Sequence, residues 1–116
     1  MKRIVGGLII ALLIIGGWSS QAEAAKGGKA FYQQINKISE LIDQGEWQKA
    51  DKEMTALRKL YEKKLWKLQL IGDESEYEGL DDELEQLRGA IESRDKAEAK
   101  IQLSAVRTLV KHIYSL

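Results

Sequence analysis

The stretch ISELIDQGEWQKADKEMTALRKLY, from Ile38 to Tyr61, contains the signals that decide the fold. Apolar residues recur three or four positions apart on both sides of Gly45, which is the spacing of one buried face of an α-helix. Gly45 interrupts the pattern, and Asp43 and Glu46 stand around it like a capping pair. The stretch therefore predicts two helices joined by a short turn.

The apolar spacing continues in both directions along a chain of 116 residues that contains no proline. It predicts four helices and gives each of them an apolar face. These faces are Phe31, Ile35, Ile38 and Ile42; then Trp47, Ala50, Met54, Leu57, Tyr61, Leu65 and Leu68; then Tyr77, Leu80, Leu84, Leu87 and Ile91; and finally Ile101, Ala105, Leu109 and Ile113.

Polar residues at the breaks indicate where the later helices begin. Gly72 ends the second helix, and a capping box is predicted directly after it. The predicted pairs are Asp73 or Ser75 with Glu76 or Glu78 for the third helix, and Asp95 with Glu98 for the fourth.

A weak internal repeat appears when the chain is shifted by about 49 positions, so that apolar residues fall on apolar residues. The matched pairs are Phe31 with Leu80, Ile35 with Leu84, Ile38 with Leu87, Ile42 with Ile91, Ala50 with Ala99, Met54 with Leu103, Leu57 with Val106, Leu60 with Leu109, and Tyr61 with Val110. Two similar helical hairpins would match by spacing alone, but here the phase is kept across two breaks. We therefore expect an all-α fold: an N-terminal signal or anchor helix, then a four-helix bundle of two antiparallel helical hairpins.

The first 24 residues have the organisation of a secretory signal. Lys2 and Arg3 form a basic start, residues 4–18 are apolar and uncharged, and a polar stretch ends in Ala22-Glu23-Ala24. This Ala-x-Ala pattern is typical of signal peptidase sites. The apolar run is about 15 residues long, which is short for a membrane span. Cleavage after Ala24 is favoured, and retention as an anchor with the N-terminus inside is the alternative.

This reading divides the chain into three parts: a signal peptide or membrane anchor at 1–24, a flexible tether at 25–30, and an extracytoplasmic four-helix domain at 31–116. The absence of cysteine excludes a lipoprotein anchor and disulfides, so stability must come from packing. Basic and acidic residues are balanced at 18 each, which argues against a nucleic-acid partner.

Trp47 is expected to close one end of the bundle, and the predicted core contains Trp47, Ala50, Met54, Leu57, Tyr61, Leu80, Leu84 and Leu87. On a helical wheel Trp66 and Leu70 point away from this core, toward a partner protein or the membrane surface, unless another segment covers them. The fourth helix has two apolar lines. We expect the line that contains Leu103, Val106 and Val110 to complete a partner surface, or to pack against a second neighbour.

No residue pattern predicts a catalytic, cofactor or metal site. The acidic run from Asp73 to Glu85 fails the order of ligands in a calcium loop, and we expect it to form a solvated face. His112 is the only histidine and has no nucleophile or metal-ligand arrangement around it. We expect that the protein is not an enzyme.

The motif Gly45-Glu46-Trp47-Gln48-Lys49-Ala50, the stretch 61–66 and the helical rhythm of 80–91 and 95–109 resemble the family called domain of unknown function 4363. The resemblance implies a helical protein of the cell envelope, chiefly from Gram-positive bacteria, and no particular reaction. Members of that family often carry a histidine before the third helix. Gly72-Asp73-Glu74 stands there in this chain, which weakens any metal role of that position.

The leading hypothesis is an exported or membrane-tethered helical protein that acts by protein–protein contact in the cell envelope. It would be secreted, or attached to the cytoplasmic membrane through residues 4–18 if the leader is kept, and it could form a homo-oligomer. The alternative is an extracytoplasmic bundle that senses a small ligand or a cation between its two hairpins.

Overall fold

The computed structural model describes residues 20–115. Within that range the chain forms four α-helices and no strand: α1 (Ser20–Asp43), α2 (Trp47–Ile71), α3 (Glu74–Glu92) and α4 (Lys96–Tyr114). The predicted all-α class is therefore confirmed. Most of the predicted signal or anchor segment, residues 1–19, lies outside the described residues.

The four helices close into a ring around one core. α1 packs against α2 and α4, and α3 packs against the same two helices, whereas α2 and α4 touch only slightly across the diagonal. Because every helix has two neighbours, each buries an apolar arc wider than a coiled-coil seam. The architecture is a four-helix bundle.

The core consists of apolar side chains from all four helices. It contains Phe31, Ile35, Ile38, Ile42, Ala50, Met54, Leu57, Tyr61, Leu68, Leu80, Leu84, Leu87, Ala90, Ile91, Ala99, Leu103, Val106, Val110 and Ile113. Seven of the eight residues that we expected in the core are thus buried. The eighth, Trp47, is half-buried and packs against the edge of this cluster.

The turns after α1 and α3 have the same backbone geometry. The amide of Gly45 donates to Ile42 and that of Glu46 to Leu41, at 3.0 and 2.9 Å. After α3, the amides of residues 94 and 95 donate to residues 91 and 90 in the same way, both at 3.0 Å. Both turns are Schellman motifs, in which the first residue after the C-cap is left-handed.

That left-handed position is Gly45 in the first turn, with φ of 73°, and Arg94 in the second, with φ of 56°. The two positions differ by 49, which is the offset of the apolar repeat, and both members of each matched pair share the same burial class. The repeat in the sequence is therefore also a repeat of the local structure.

Helix α3 begins as the sequence indicates. The carboxylate of Asp73 accepts from the backbone amide of Glu76 at 2.9 Å, and the Glu76 side chain accepts from the amide of Asp73 at 3.0 Å. This is a capping box. Asp95 accepts from the amide of Glu98 at 3.1 Å and caps α4.

The predicted capping pair of Asp43 and Glu46 is wrong. Glu46 is the N-cap residue of α2 but makes no side-chain cap. The Asp43 carboxylate instead pairs with the ammonium of Lys100 on α4 at 3.0 Å. The reason is that Asp43 is still part of α1 and lies three residues before the N-cap position, so its carboxylate does not serve the amides of α2 and is available to join two helices.

The predicted flexible tether at 25–30 is not seen as a loop, because α1 runs through it from Ser20. Two glycines lower helix propensity here, but Gly28 is buried against α4. A Cβ at Gly28 would lie 3.1 Å from Cγ of Tyr114, so the absence of a side chain lets the two helices approach closely. The helical part of the domain thus begins before Phe31.

Candidate contact surfaces

Trp66 and Leu70 project from the outer face of α2. Their relative exposures are 59% and 75%, which is unusual for large apolar side chains in a bundle whose other long apolar residues are mostly buried. The ammonium of Lys67 lies 5.4 Å from the centroid of the Trp66 ring, at cation–π distance. The predicted position of this patch on the outside of α2 agrees with the structure.

Trp66 and Leu70 end a longer exposed strip, which we call the α2 stripe. Its members are Lys52, Ala56, Lys59, Lys63, Trp66 and Leu70, all exposed. They fall within an arc of roughly 80° at 3.6 residues per turn, over roughly 27 Å of helix. The stripe contains no acidic residue, although Asp51 and Glu62 flank it on one side. It therefore combines three positive charges with an aromatic and aliphatic end.

The apolar end of the α2 stripe lies at the end of the bundle where α1 begins. The last turn of α4 contacts both elements. A Cβ built at Gly28 of α1 would touch Tyr114, and one at Gly72, directly after α2, would lie 3.4 Å from Cγ2 of Ile113. The first described turns of α1 thus lie at the same end of the bundle as Trp66 and Leu70.

Leu103, Val106 and Val110 do not form a partner surface, so that prediction is wrong, and the alternative, packing against a second neighbour, is confirmed. Their exposures are 2%, 0% and 0%, because this line of α4 faces the core between α1 and α3. The outer line carries Ile101 instead, which is 60% exposed. The repeat contains the missed signal, because it pairs the three residues with Met54, Leu57 and Tyr61 of the core.

Trp47 lies at the opposite end of the bundle from Trp66. It borders a shallow groove of about 330 Å³ that is also lined by Gln48, Asp51, Ile91, Glu92 and Arg94. Because these residues come from α2, α3 and the turn after α3, the half-buried Trp47 lies at the end of the bundle where the two Schellman turns lie. This is the position that the sequence predicts for it.

Charged side chains between helices are used for packing. Arg58 of α2 contacts Asp81 of α3, and its guanidinium lies 3.6 Å from Glu85. The same guanidinium stands 5.4 Å from the centroid of the Tyr61 ring. Part of the acidic run is therefore held by Arg58 rather than free in solvent, and the Arg58–Asp81 contact fixes α2 against α3.

Two tyrosines have perturbed titration. Burial raises the pKa of Tyr61, and the nearby Asp81 carboxylate raises it further. The Tyr61 hydroxyl donates to the carbonyl of Tyr77 at 3.0 Å, so it is satisfied within the fold. Burial likewise raises the pKa of Tyr114. Both rings are packing groups at helix contacts.

The described residues bring no three His, Cys, Asp or Glu side chains together in a way that could hold a metal ion. Asp73 has a lowered pKa because the Ser75 hydroxyl and the Glu76 amide donate to its carboxylate, so its role is capping. His112 is exposed in the last turn of α4. From residue 20 to 115, no helix is long and apolar enough to cross a membrane, and the apolar run at 4–18 lies outside this range.

The family model of a domain of unknown function, DUF4363, matches residues 20–116. The chain belongs to the DUF4363 family. The match covers all four helices of this DUF4363 protein, and it confirms the resemblance drawn from the Gly45–Ala50 motif and the helical rhythm. No curated protein and no solved structure matches the chain.

Proposed function

We propose that this DUF4363 protein is a non-enzymatic component of the bacterial cell envelope that acts by contact with other proteins. In this proposal residues 1–24 export the chain as a signal peptide or anchor, with the N-terminus inside. The four-helix domain then lies outside the cytoplasm, where it is tethered to the membrane or released.

The exposed large apolar side chains are the observation that carries the proposal. Trp66 and Leu70 on α2, and Ile101 on α4, remain exposed although the bundle buries nearly all of its other long apolar residues. Trp66 and Leu70 stand one turn apart and form a contiguous apolar patch, and such patches mark contact sites more often than single exposed residues do. Since α2 and α4 lie diagonally opposite, the two surfaces can engage two different components at once.

The finer arrangement proposed for the domain is two antiparallel hairpins, α1–α2 and α3–α4. Gln34 of α1 donates to the Glu53 carbonyl of α2 at 2.9 Å, across the hairpin formed around the first turn. In the second half, a Cβ at Gly79 would lie 3.8 Å from Leu109, again on either side of a Schellman turn. The shared turns and the repeat support this pairing.

Photo-crosslinking in intact cells tests the proposal. A benzophenone amino acid is placed at Leu70 or Ile101 in the full chain, and at the exposed Gln86 of α3 as a control for random collision. We expect discrete protein adducts from position 101 that are absent from position 86. If the adducts of position 101 do not differ from those of the control, the protein-contact function is wrong.

A second candidate function, ligand sensing, is favoured by the groove beside Trp47. It lies between α2 and α3, has an aromatic wall, and carries side chains of both charges, Asp51 and Arg94 among them. A thermal-shift screen of small anions, cations and metabolites, including calcium, magnesium and zinc, tests this candidate. It requires a shift that is lost in a Trp47→Leu variant, and no shift across the screen would remove it.

A further inference from the structure

We propose that the α2 stripe rests on the surface of an anionic lipid bilayer, so that the flank of α2 lies along the membrane. This rests on the proposed function for the extracytoplasmic location, and it names the component that the Trp66–Leu70 patch contacts. The patch would then be the site of lipid contact, and the outer face of α4, with Ile101, would remain available for protein.

The composition of the stripe fits a lipid surface. Tryptophan is favoured at the boundary between headgroups and acyl chains because its ring is apolar and its indole N–H is polar. Leu70, one turn further along, can enter the same boundary. Lysine side chains have long apolar stems and reach phosphate groups with the ammonium. Three lysines in line along the stripe supply charge complementary to anionic headgroups.

The position of the stripe places it near a bilayer. Trp66 and Leu70 lie at the end of the bundle where α1 begins, since the last turn of α4 lies beside both Gly28 and Gly72. Residues 4–18 of that chain are uncharged and apolar. If they insert into a membrane, only a few residues separate the bilayer from α1, and the patch is held close to its surface.

The acidic residues of the same end determine the orientation. Asp73 and Glu74 begin α3 directly after α2, so an end-on approach would press their carboxylates against anionic lipid. Docking through the flank of α2 avoids this, because the stripe itself carries no acid. Glu62 beside the stripe is 3.7 Å from the Arg58 guanidinium, which it shares with Asp81 and Glu85, so its charge is offset only in part. The expected contact is therefore lateral and involves α2 rather than the bundle end.

The absence of cysteine allows a clean test with site-directed spin labels. The full chain carrying Leu70→Cys is labelled and reconstituted in vesicles of neutral phosphatidylcholine, with or without anionic phosphatidylglycerol. Ile101→Cys is the matched control, because its side chain is similarly apolar and exposed but lies on α4. Collision rates with oxygen and with a water-soluble nickel complex report whether each label is in lipid or in water.

With anionic lipid, we expect the label at position 70 to lose access to the nickel complex and to gain access to oxygen, whereas the label at position 101 stays in water. Replacing Lys59 or Lys63 with Gln should lower the ratio of docked to undocked protein about fivefold for each lysine. Lys96→Gln, the same change at the other end of the bundle, should have no effect. Raising the salt concentration should reverse docking.

Three results would overturn the proposal. One is a label at position 70 that remains in water with every lipid. Another is equal shielding with neutral lipid, because the lysines would then contribute nothing. The third is a label at position 70 that stays in water on vesicles while the same position gives protein adducts in cells. That result would assign the patch to a protein partner and leave the proposed function intact. Conversely, absence of protein adducts at position 101 would contradict the proposed function and leave the lipid contact of the α2 stripe intact.

Discussion

The comparison of Leu103→Ala with Ile101→Ala tests which side of α4 faces the core. Leu103 is 2% exposed and Ile101 is 60% exposed, although they are two residues apart on the same helix. Removing a fully buried leucine side chain costs about 3 kcal/mol or more, from lost transfer energy and the cavity left behind. The same truncation at an exposed position costs less than about 0.5 kcal/mol.

A loss of about 3 kcal/mol is a large share of the stability of a domain of this size, which is roughly 5–14 kcal/mol at 0.05–0.15 kcal/mol per residue. It should lower the melting temperature by about 12 °C or more. Thermal unfolding of the full chain in mild detergent, followed by far-UV circular dichroism, measures both variants. Equal losses for the two variants, or a larger loss for Ile101→Ala, would refute the assignment of the α4 core line.

Five further substitutions test the turns, the cap and the buried polar group. Gly45→Ala should lower the free energy of unfolding in urea by about 1 kcal/mol, because it adds backbone strain and no steric clash. Arg94→Gly should raise it by roughly 0.5 kcal/mol, because it removes the strain of a left-handed residue. A change of the same sign in both variants would contradict the shared Schellman geometry. Asp73→Ala should lower the urea midpoint at pH 7 and Asp73→Asn should largely preserve it, since Asn also caps. Folding lowers the pKa of Asp73, so its charged form stabilises the fold at pH values above the unfolded pKa of about 3.9, and this stabilisation is lost as the pH falls below that value. The urea midpoints of wild type and Asp73→Asn should therefore converge in acid. A difference that stays constant with pH would contradict this. Gln102→Leu should raise the free energy of unfolding by about 1 kcal/mol in thermal unfolding, because the buried Oε1 of Gln102 has no hydrogen-bond partner within the described residues. A lower stability would contradict this and would mean that the hydrogen bond from Gln102 Nε2 to Glu98 contributes more than the unpaired oxygen costs.

Helix spacing in the sequence predicts most of the fold because apolar burial follows the 3.6-residue period directly. The faces beginning at Phe31 and Leu80 are buried as expected, and the cap at Asp73 is correct because it depends only on residues close in sequence. The ion pair of Asp43 was not predictable in this way. Its partner Lys100 is 57 positions away and is brought near only by the packing of α1 on α4.

The exposure of Trp66 and Leu70 on α2 was predicted correctly, whereas that of Leu103, Val106 and Val110 on α4 was predicted incorrectly, for a physical reason. On α2, Trp66 stands among polar residues on the face opposite the predicted core, so its outward position is evident. On α4 two apolar lines adjoin, and the choice between them depends on where α1 and α3 sit. The repeat contained the answer, because the residue matched with Leu103 is Met54, at the centre of the predicted core.

The side of the membrane on which the domain lies is the central claim, and a single introduced cysteine tests it most directly. Ser104→Cys places an exposed thiol on α4, away from the proposed lipid contact, in a chain that has no other cysteine. Intact cells without their wall are treated with a membrane-impermeant maleimide, and the full chain is then recovered from cells and medium. The account predicts labelling before lysis to the same extent as after it. Labelling only after lysis would place the domain in the cytoplasm and contradict the account.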